Sequence, residues 1–267
     1  MAVAGARRGW SPPPLIANPW LRWAVVIGAA IYLYLALNSV PLNWARILDG
    51  LSRGWLFVKG FLTPDFVSRH EEIFEGLLES VVMTVVSTVL GVALALPVAL
   101  GAAKNVAPWP VYYLCRSFIA ASRTFQEVII AILFVAMFGF GPFAGMLTIT
   151  FATIGFMAKL LAEDIEDIDR SQVEAIRATG ASWAQTVNYA IQPQVLPRLI
   201  GLSLYRVDIN FRESAVVGIV GAGGIGATLN TAFDRYEYSV AGAILLLIIG
   251  IVMACEYTSG LIRRRVQ

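Results

Sequence analysis

Val128–Ala158, VIIAILFVAMFGFGPFAGMLTITFATIGFMA, is a run of 31 residues without one charged side chain. As a single helix it would extend about 46 Å at 1.5 Å per residue, too long for one crossing of a hydrocarbon core of about 30 Å. Gly139-Phe140-Gly141-Pro142 falls near its middle and supplies the turn residues that break it. The stretch therefore reads as a tight hairpin between two spans, 117–138 and 143–161. Lipid is the solvent this composition fits: 58% of the chain is hydrophobic and 14% charged, against about 25% charged in soluble domains.

Outward from the hairpin, Ser80–Ala103 and Ser239–Cys255 are also uncharged. Six spans follow, at 21–40, 80–103, 117–138, 143–161, 198–220 and 240–261. The fold class is an all-α membrane protein of about six transmembrane helices, each of about 20 apolar residues. Residues 1–20 form a tail with Arg7, Arg8 and a proline run. Residues 21–267 form a single transmembrane domain, with a polar cytoplasmic loop at 163–197. The first apolar run is long enough to stay as an anchor and lacks a small-residue cleavage pattern. The 41–79 segment reads as an extramembrane loop with one or two surface helices, and 226–239 as an outer loop.

Basic residues fix the expected orientation. With the N-terminus inside, the inner segments hold Arg7, Arg8, Lys104, Arg116, Lys159, Arg170, Arg177, Arg198 and Arg263–Arg265, while the turn at 139–145 carries no charge. Arg46, Arg53, Lys59 and Arg69 in the first outer loop are the exception. Both termini are expected in the cytoplasm.

Several chemistries are excluded or disfavoured. Cys115 and Cys255 make no disulfide framework, and the single histidine, His70, builds no multi-histidine metal site. Gly221-Ala222-Gly223-Gly224-Ile225-Gly226 satisfies the dinucleotide-binding pattern. That pattern has meaning only between a strand and a helix, and here it follows a membrane span. Gly221, Gly223, Gly224 and Gly226 read instead as a helix break or close backbone packing, a gate at the outer end. No phosphate-cradling Gly-x-x-x-x-Gly-Lys-Ser/Thr sequence occurs, so an ATP-driven transporter would take its engine from a partner.

The fifth span carries Arg206, Asp208, Asn210, Arg212 and Glu213. Ionisable residues at that depth are costly and face a bundle interior or a pathway. Arg206 and Glu213, seven apart, share a face; Asp208 and Arg212, four apart, can pair. Two readings stand: neutralised pairs that lock helices together, or a translocation path in which Arg212, about 20 Å into the span, offers a guanidinium fork to an anion. Arg123 and Glu127, early in the third span, can reach the interface or pair at i, i+4.

The polar loop reads Glu174-Ala175-Ile176-Arg177-Ala178-Thr179-Gly180-Ala181-Ser182-Trp183, ending at Gln192-Pro193. Small residues Ala175, Ala178 and Ala181 allow close approach to a partner, Gly180 offers a turn at positive φ, and Glu174 can cap or salt-bridge the joint. This resembles the cytoplasmic loop of ABC importer permeases, Glu-Ala-Ala, three residues, Gly, nine residues, Ile-x-Leu-Pro. Glu174, Ala175, Gly180 and Pro193 match in register; Ile176, Ala190 and Gln192 depart. Phe138–Gly145, Lys159–Glu163, Asn210-Phe211-Arg212 and Val217–Gly226 look like the phosphonate/phosphate branch, with Gln126 standing where a proline is usual and Ala152 where a histidine is common.

The resemblance implies a type I importer permease fold and a short helix that docks in a groove of an ATPase subunit. It also implies a second copy of this chain, two ATP-binding subunits that hold ATP and Mg, and a periplasmic or lipid-anchored substrate-binding protein. No cofactor in this chain and no nucleic acid are expected. The cargo implied is phosphonate or inorganic phosphate or phosphite. Methionine or another small solute on the same machinery, or an ATP-independent secondary transporter, are the alternatives; a membrane enzyme is disfavoured because the usual hydrolase and metalloprotease motifs are missing.

Overall fold

The computed structural model describes residues 16, 18–39 and 44–266, with side chains described up to residue 261. The basic pairs at Arg7–Arg8 and Arg263–Arg265, and nearly all of the 1–20 tail, lie outside the residues or side chains described. The chain divides into two units, 1–55 and 56–267. The first unit holds α1 (Pro19–Ser39) and most of α2 (Trp44–Leu62). α1 is apolar and long enough to cross a membrane, with no buried residue.

The second unit carries α3 (His70–Ala102), α4 (Trp109–Thr124), α5 (Glu127–Phe138), α6 (Pro142–Glu166) and α7 (Arg170–Ala178). It continues with α8 (Trp183–Thr186), a π-helical turn (Val187–Ile191), α9 (Gln192–Ile219), α10 (Gly224–Asp234) and α11 (Tyr238–Val266). No strand occurs among the described residues. Four helices are long and apolar enough to span a membrane, and up to six spans result if the bent pairs α4–α5 and α8–α10 each count as one.

α3 and α6 form the central pair. Lipid offers apolar side chains no hydrophobic gain, so close packing must come from small residues and interhelical hydrogen bonds. Ala95, Ala99, Ala102, Ala158 and Ala162 are fully buried between α3, α6 and their neighbours. Ser87 Oγ donates across the pair to the Met146 carbonyl at 2.9 Å. At Gly91 the pair leaves no room for a side chain: a Cβ there would stand 2.5 Å from both Cβ and Cγ2 of Thr153.

In three places the helices differ in extent from the expected segments. α3 begins at His70, ten residues before the expected 80–103 span, because its first turns carry Glu71, Glu72 and Glu75 and are helical without being apolar. Its 33 residues extend about 50 Å, well past an apolar layer of about 30 Å. The 117–138 span is not one helix. Phe125 and Gln126 are extended, and α4 meets α5 at 93°. Gln126 holds φ at −71°, the value a proline would impose, without being one. The 226–239 outer loop is mostly helix: α10 fills 224–234, and only the turn around Tyr236, at φ 58°, lies between it and α11.

At one end of the bundle the α3 C-terminus is clasped to α4 and α6. The Lys104 amide donates to Glu166 Oε1 (2.7 Å), Asn105 Nδ2 donates to the Ile165 carbonyl (2.7 Å), and Arg116 spans from the Ala102 carbonyl to Glu166, each at 2.9 Å. α7 lies at this end. Gly76 and Ser80, at the other end of α3, meet α10.

Filling the contact between Gly91 and Thr153 should be costly. Gly91→Val should lower the melting temperature of the detergent-purified protein, by the equivalent of about 1–3 kcal/mol of overpacking; an unchanged midpoint in a thermal-shift assay would rule out this packing.

Candidate translocation and coupling site

α9 carries two polar groups on nearly opposite faces, because 206, 210 and 213 recur at helical spacing while 208 and 212 fall roughly half a turn away. Arg206 is 2% exposed, and every arm of its guanidinium is engaged. Nη1 and Nη2 grip Glu213 at 3.2 and 2.9 Å, Nη2 lies 3.6 Å from Glu127 on α5, and Nε donates to Thr153 Oγ1 at 3.1 Å. The group also sits 5.1 Å above the Phe156 ring. Asn210, fully buried, donates from Nδ2 to Thr88 Oγ1 (2.8 Å) and Thr153 Oγ1 (3.1 Å). Thr153 in turn donates to the Ile149 carbonyl at 2.7 Å. One network thus joins α3, α5, α6 and α9.

The second group is open. Arg212 Nη2 donates to Asp208 Oδ2 at 2.7 Å, and the Arg212 side chain is 53% exposed against 10% for Asp208. Arg206 has its guanidinium engaged within the bundle, whereas only Nη2 of Arg212 is held by Asp208 and the side chain is half-exposed. Of the two readings of Arg123 and Glu127, the i, i+4 pair is not made among the described residues. The bend at 125–126 carries them apart, Arg123 to the Phe156 ring at 5.9 Å and Glu127 to Arg206.

α9 stops at Ile219, and Gly221, Gly223 and Gly224 take φ of 94°, 75° and 72°. Gly223 has two reasons to lack a side chain: its positive φ, and the Pro142 nitrogen that a Cβ would approach to 2.6 Å. The amides that open α10 are taken up by α3: Gly224 N–H donates to Glu79 Oε2 and Ile225 N–H to Ser80 Oγ, both at 2.9 Å. Gly226 lies inside α10, where a Cβ would run into the Ala215 carbonyl.

At the opposite end, α7 presents Glu174, Ala175 and Ala178 to the outside, and only Val173 and Ile176 are partly covered. Gly180 turns the chain at φ 81°, and Pro193 is the second residue of α9. Glu174 makes no hydrogen bond or salt bridge among the described residues, so it does not cap or brace the joint as expected. Asp169 does: its carboxylate accepts from the Ser171 amide (2.9 Å) and hydroxyl (2.8 Å). Those donors hold the Asp169 carboxyl below the usual carboxylate range. Ser182 and Gln185 close a capping box on α8. Asp169, Thr153, Glu79 and Gln194 carry no motif signal in the sequence, except that Asp169-Arg170-Ser171 is a legible cap; the others act across helices, and so does Glu127, whose partner Arg206 lies on α9.

Residues 79–264 match the family described as the binding-protein-dependent transport system inner membrane component. The chain belongs to that family. The permease is 45% identical over 165 residues to the phosphate-import permease protein PhnE of Mycolicibacterium smegmatis, covering 61% of the permease and 31% of that relative, so it spans about a third of the relative's length. It is 39% identical over 224 residues to the putative phosphite transport system permease protein HtxC of Stutzerimonas stutzeri, covering 83% and 79%. Its fold is that of the membrane subunit in inward-facing structures of the MetNI methionine ABC transporter, with a TM-score of 0.64 at 24% identity over 74% of the permease and 97% of that chain. The permease therefore has the type I importer fold and is a transporter subunit integral to the membrane rather than an enzyme.

Two outcomes are expected. Arg206→Ala leaves Glu127 and Glu213 without their counter-ion; loss of a buried partner costs about 3–5 kcal/mol, so the variant should give little folded protein, whereas Arg212→Ala should purify like the unsubstituted permease by size-exclusion chromatography. For Asp169, the folded carboxyl titrates below its unfolded value of about 3.9, so the cap is complete above that pH and lost only as the pH falls through the lower folded value. Protection of the first α7 amides from hydrogen exchange, corrected for intrinsic rates, should stay flat between about pH 5 and 8 and fall on Asp169→Ala.

Proposed function

We propose that the permease, paired with a second copy of itself, forms the path by which an ATP-driven importer carries phosphate, phosphite or phosphonate. Arg212 carries this reading: a half-exposed guanidinium inside an apolar span is too costly to leave against lipid. It fits a face turned to a partner protomer and an aqueous path, where a planar fork suits a tetrahedral oxyanion. The relatives named for phosphate and phosphite, at 39–45% identity, support the cargo. The likeness to a methionine transporter, at 24% identity, supports the fold alone.

The rest of the assembly follows from the same reading. α7, with Glu174, Ala175 and Ala178 on its open side, Gly180 in the turn after it and Pro193 where the chain rejoins α9, docks on one of two ATP-binding subunits. Those subunits hold ATP and Mg, and the permease binds no cofactor. A periplasmic or lipid-anchored binding protein delivers cargo at the α10 end, where Gly221, Gly223, Gly224 and Gly226 form the break at the path's outer limit. Lys104, Arg116, Lys159, Arg170, Arg177 and Arg198 all belong to the α7 end, which favours that end, and both termini, in the cytoplasm.

Reconstitution with the ATPase and the binding protein tests this. ATP-dependent uptake of labelled phosphate should be competed by phosphite or methylphosphonate and not by methionine. Arg212→Ala should cut uptake at least about tenfold, the loss of about 1.4 kcal/mol of interaction with the passing anion, with assembly intact; Arg212→Lys should fall between. Uptake without ATP, or an Arg212→Ala variant as active as the parent, refutes the proposal.

A further inference from the structure

The joint between α7 and α9 packs Ile168, Val173 and Val187 against the core around Ile191 and Val195, is loose in its backbone, and is tied by the side-chain hydrogen bonds of one residue. Pro193 and Pro197 lack amide protons, so the first turns of α9 lose two backbone donors. The turn before them is π-helical, with the Gln192 amide reaching back to the Val187 carbonyl, a wide geometry often found at functional joints. Gln194, half-buried, bridges this weak stretch. Its Oε1 accepts from the Asp169 amide at the start of α7 (2.9 Å), and its Nε2 donates to the Ala190 carbonyl in the π turn (2.7 Å). Ala190 and Ile191 are 1% and 3% exposed, so the second anchor is fixed in the core.

Asp169 is itself fastened to α7 through Ser171. The chain of contacts therefore runs from the α7 cap through Gln194 to the π turn, and on along α9 to Arg206, Asn210 and Arg212. Without Gln194, the two proline gaps and the π turn could flex, and a displacement of α7 would be absorbed in the joint.

We infer that Gln194 is a positioning residue that couples movement of α7 to α9, so that work done on α7 reaches the polar residues of α9. The inference rests on the proposed docking of an ATPase on α7. Both of its hydrogen bonds lie in series, so breaking either should uncouple hydrolysis from transport.

Two substitutions separate the links. Gln194→Met keeps the length and removes both bonds; Gln194→Glu keeps the acceptor for the Asp169 amide and removes the donor to Ala190. In proteoliposomes holding the full transporter, ATP hydrolysis and labelled phosphate uptake are measured together. Both variants should retain the ATPase on purification and hydrolyse ATP at near the parental rate when the binding protein is added, while phosphate carried per ATP falls at least about fivefold, the lower end of usual coupling effects. Uptake and hydrolysis falling in parallel, or a parental ratio in either variant, overturns the inference; if Gln194→Met does not assemble, Gln194→Glu decides alone. Failure of the underlying reading shows separately, in the unsubstituted transporter, as absence of the ATPase from the purified complex or as uptake without ATP.

Discussion

A guanidinium cannot be left unpaired in the apolar interior of a membrane protein, and much of this bundle is arranged around Arg206. Its donors reach Glu213 on its own helix, Thr153 on α6 and Glu127 on α5, and Asn210 extends the same network to Thr88 on α3. Each helix is thereby fixed in rotation as well as position, since a turn of α9 by one residue would swing Arg206 about 100° away from its partners. The small residues of α3 and α6 then permit the approach that the polar groups demand: Thr153, packed against Gly91, also accepts from both Arg206 and Asn210.

The bend between α4 and α5 belongs to the same constraint. A straight helix through 109–138 would carry Glu127 along with Arg123, and the two would sit as an i, i+4 pair. With the chain extended at Phe125 and Gln126, each goes to its own partner, Glu127 to the Arg206 cluster and Arg123 to the Phe156 ring. Gln126 shows that proline is not required for the bend where the surrounding contacts favour it.

How far the sequence disclosed this follows from the range of each interaction. The uncharged runs and Gly139–Pro142 reveal the spans and the α5–α6 turn because these are local properties. The seven-residue spacing of Arg206 and Glu213 reveals a pair because helical periodicity is local too. The partners on other helices are not legible: Glu127 and Arg206 are separated by 79 positions, and no periodicity links them. The extra turns of α3 and the helix at 224–234 escaped for a different reason, since hydropathy records where lipid ends and not where a helix does. Glu174, Ala175, Gly180 and Pro193 are legible through a motif written in one short stretch; Asp169 is readable as a cap, and Gln194 needs the fold to bring 169 and 190 within its reach.

The N-terminus of a helix ordinarily attracts negative ions through its free amides and its dipole. In α10 that attraction is already satisfied inside the chain, by the carboxylate of Glu79 and the hydroxyl of Ser80. Two of the amides that would make this terminus an anion site are therefore spent within the chain, and what they hold is α3: the start of α10 acts as a clasp between helices, with a carboxylate already standing where a free anion would have to bind.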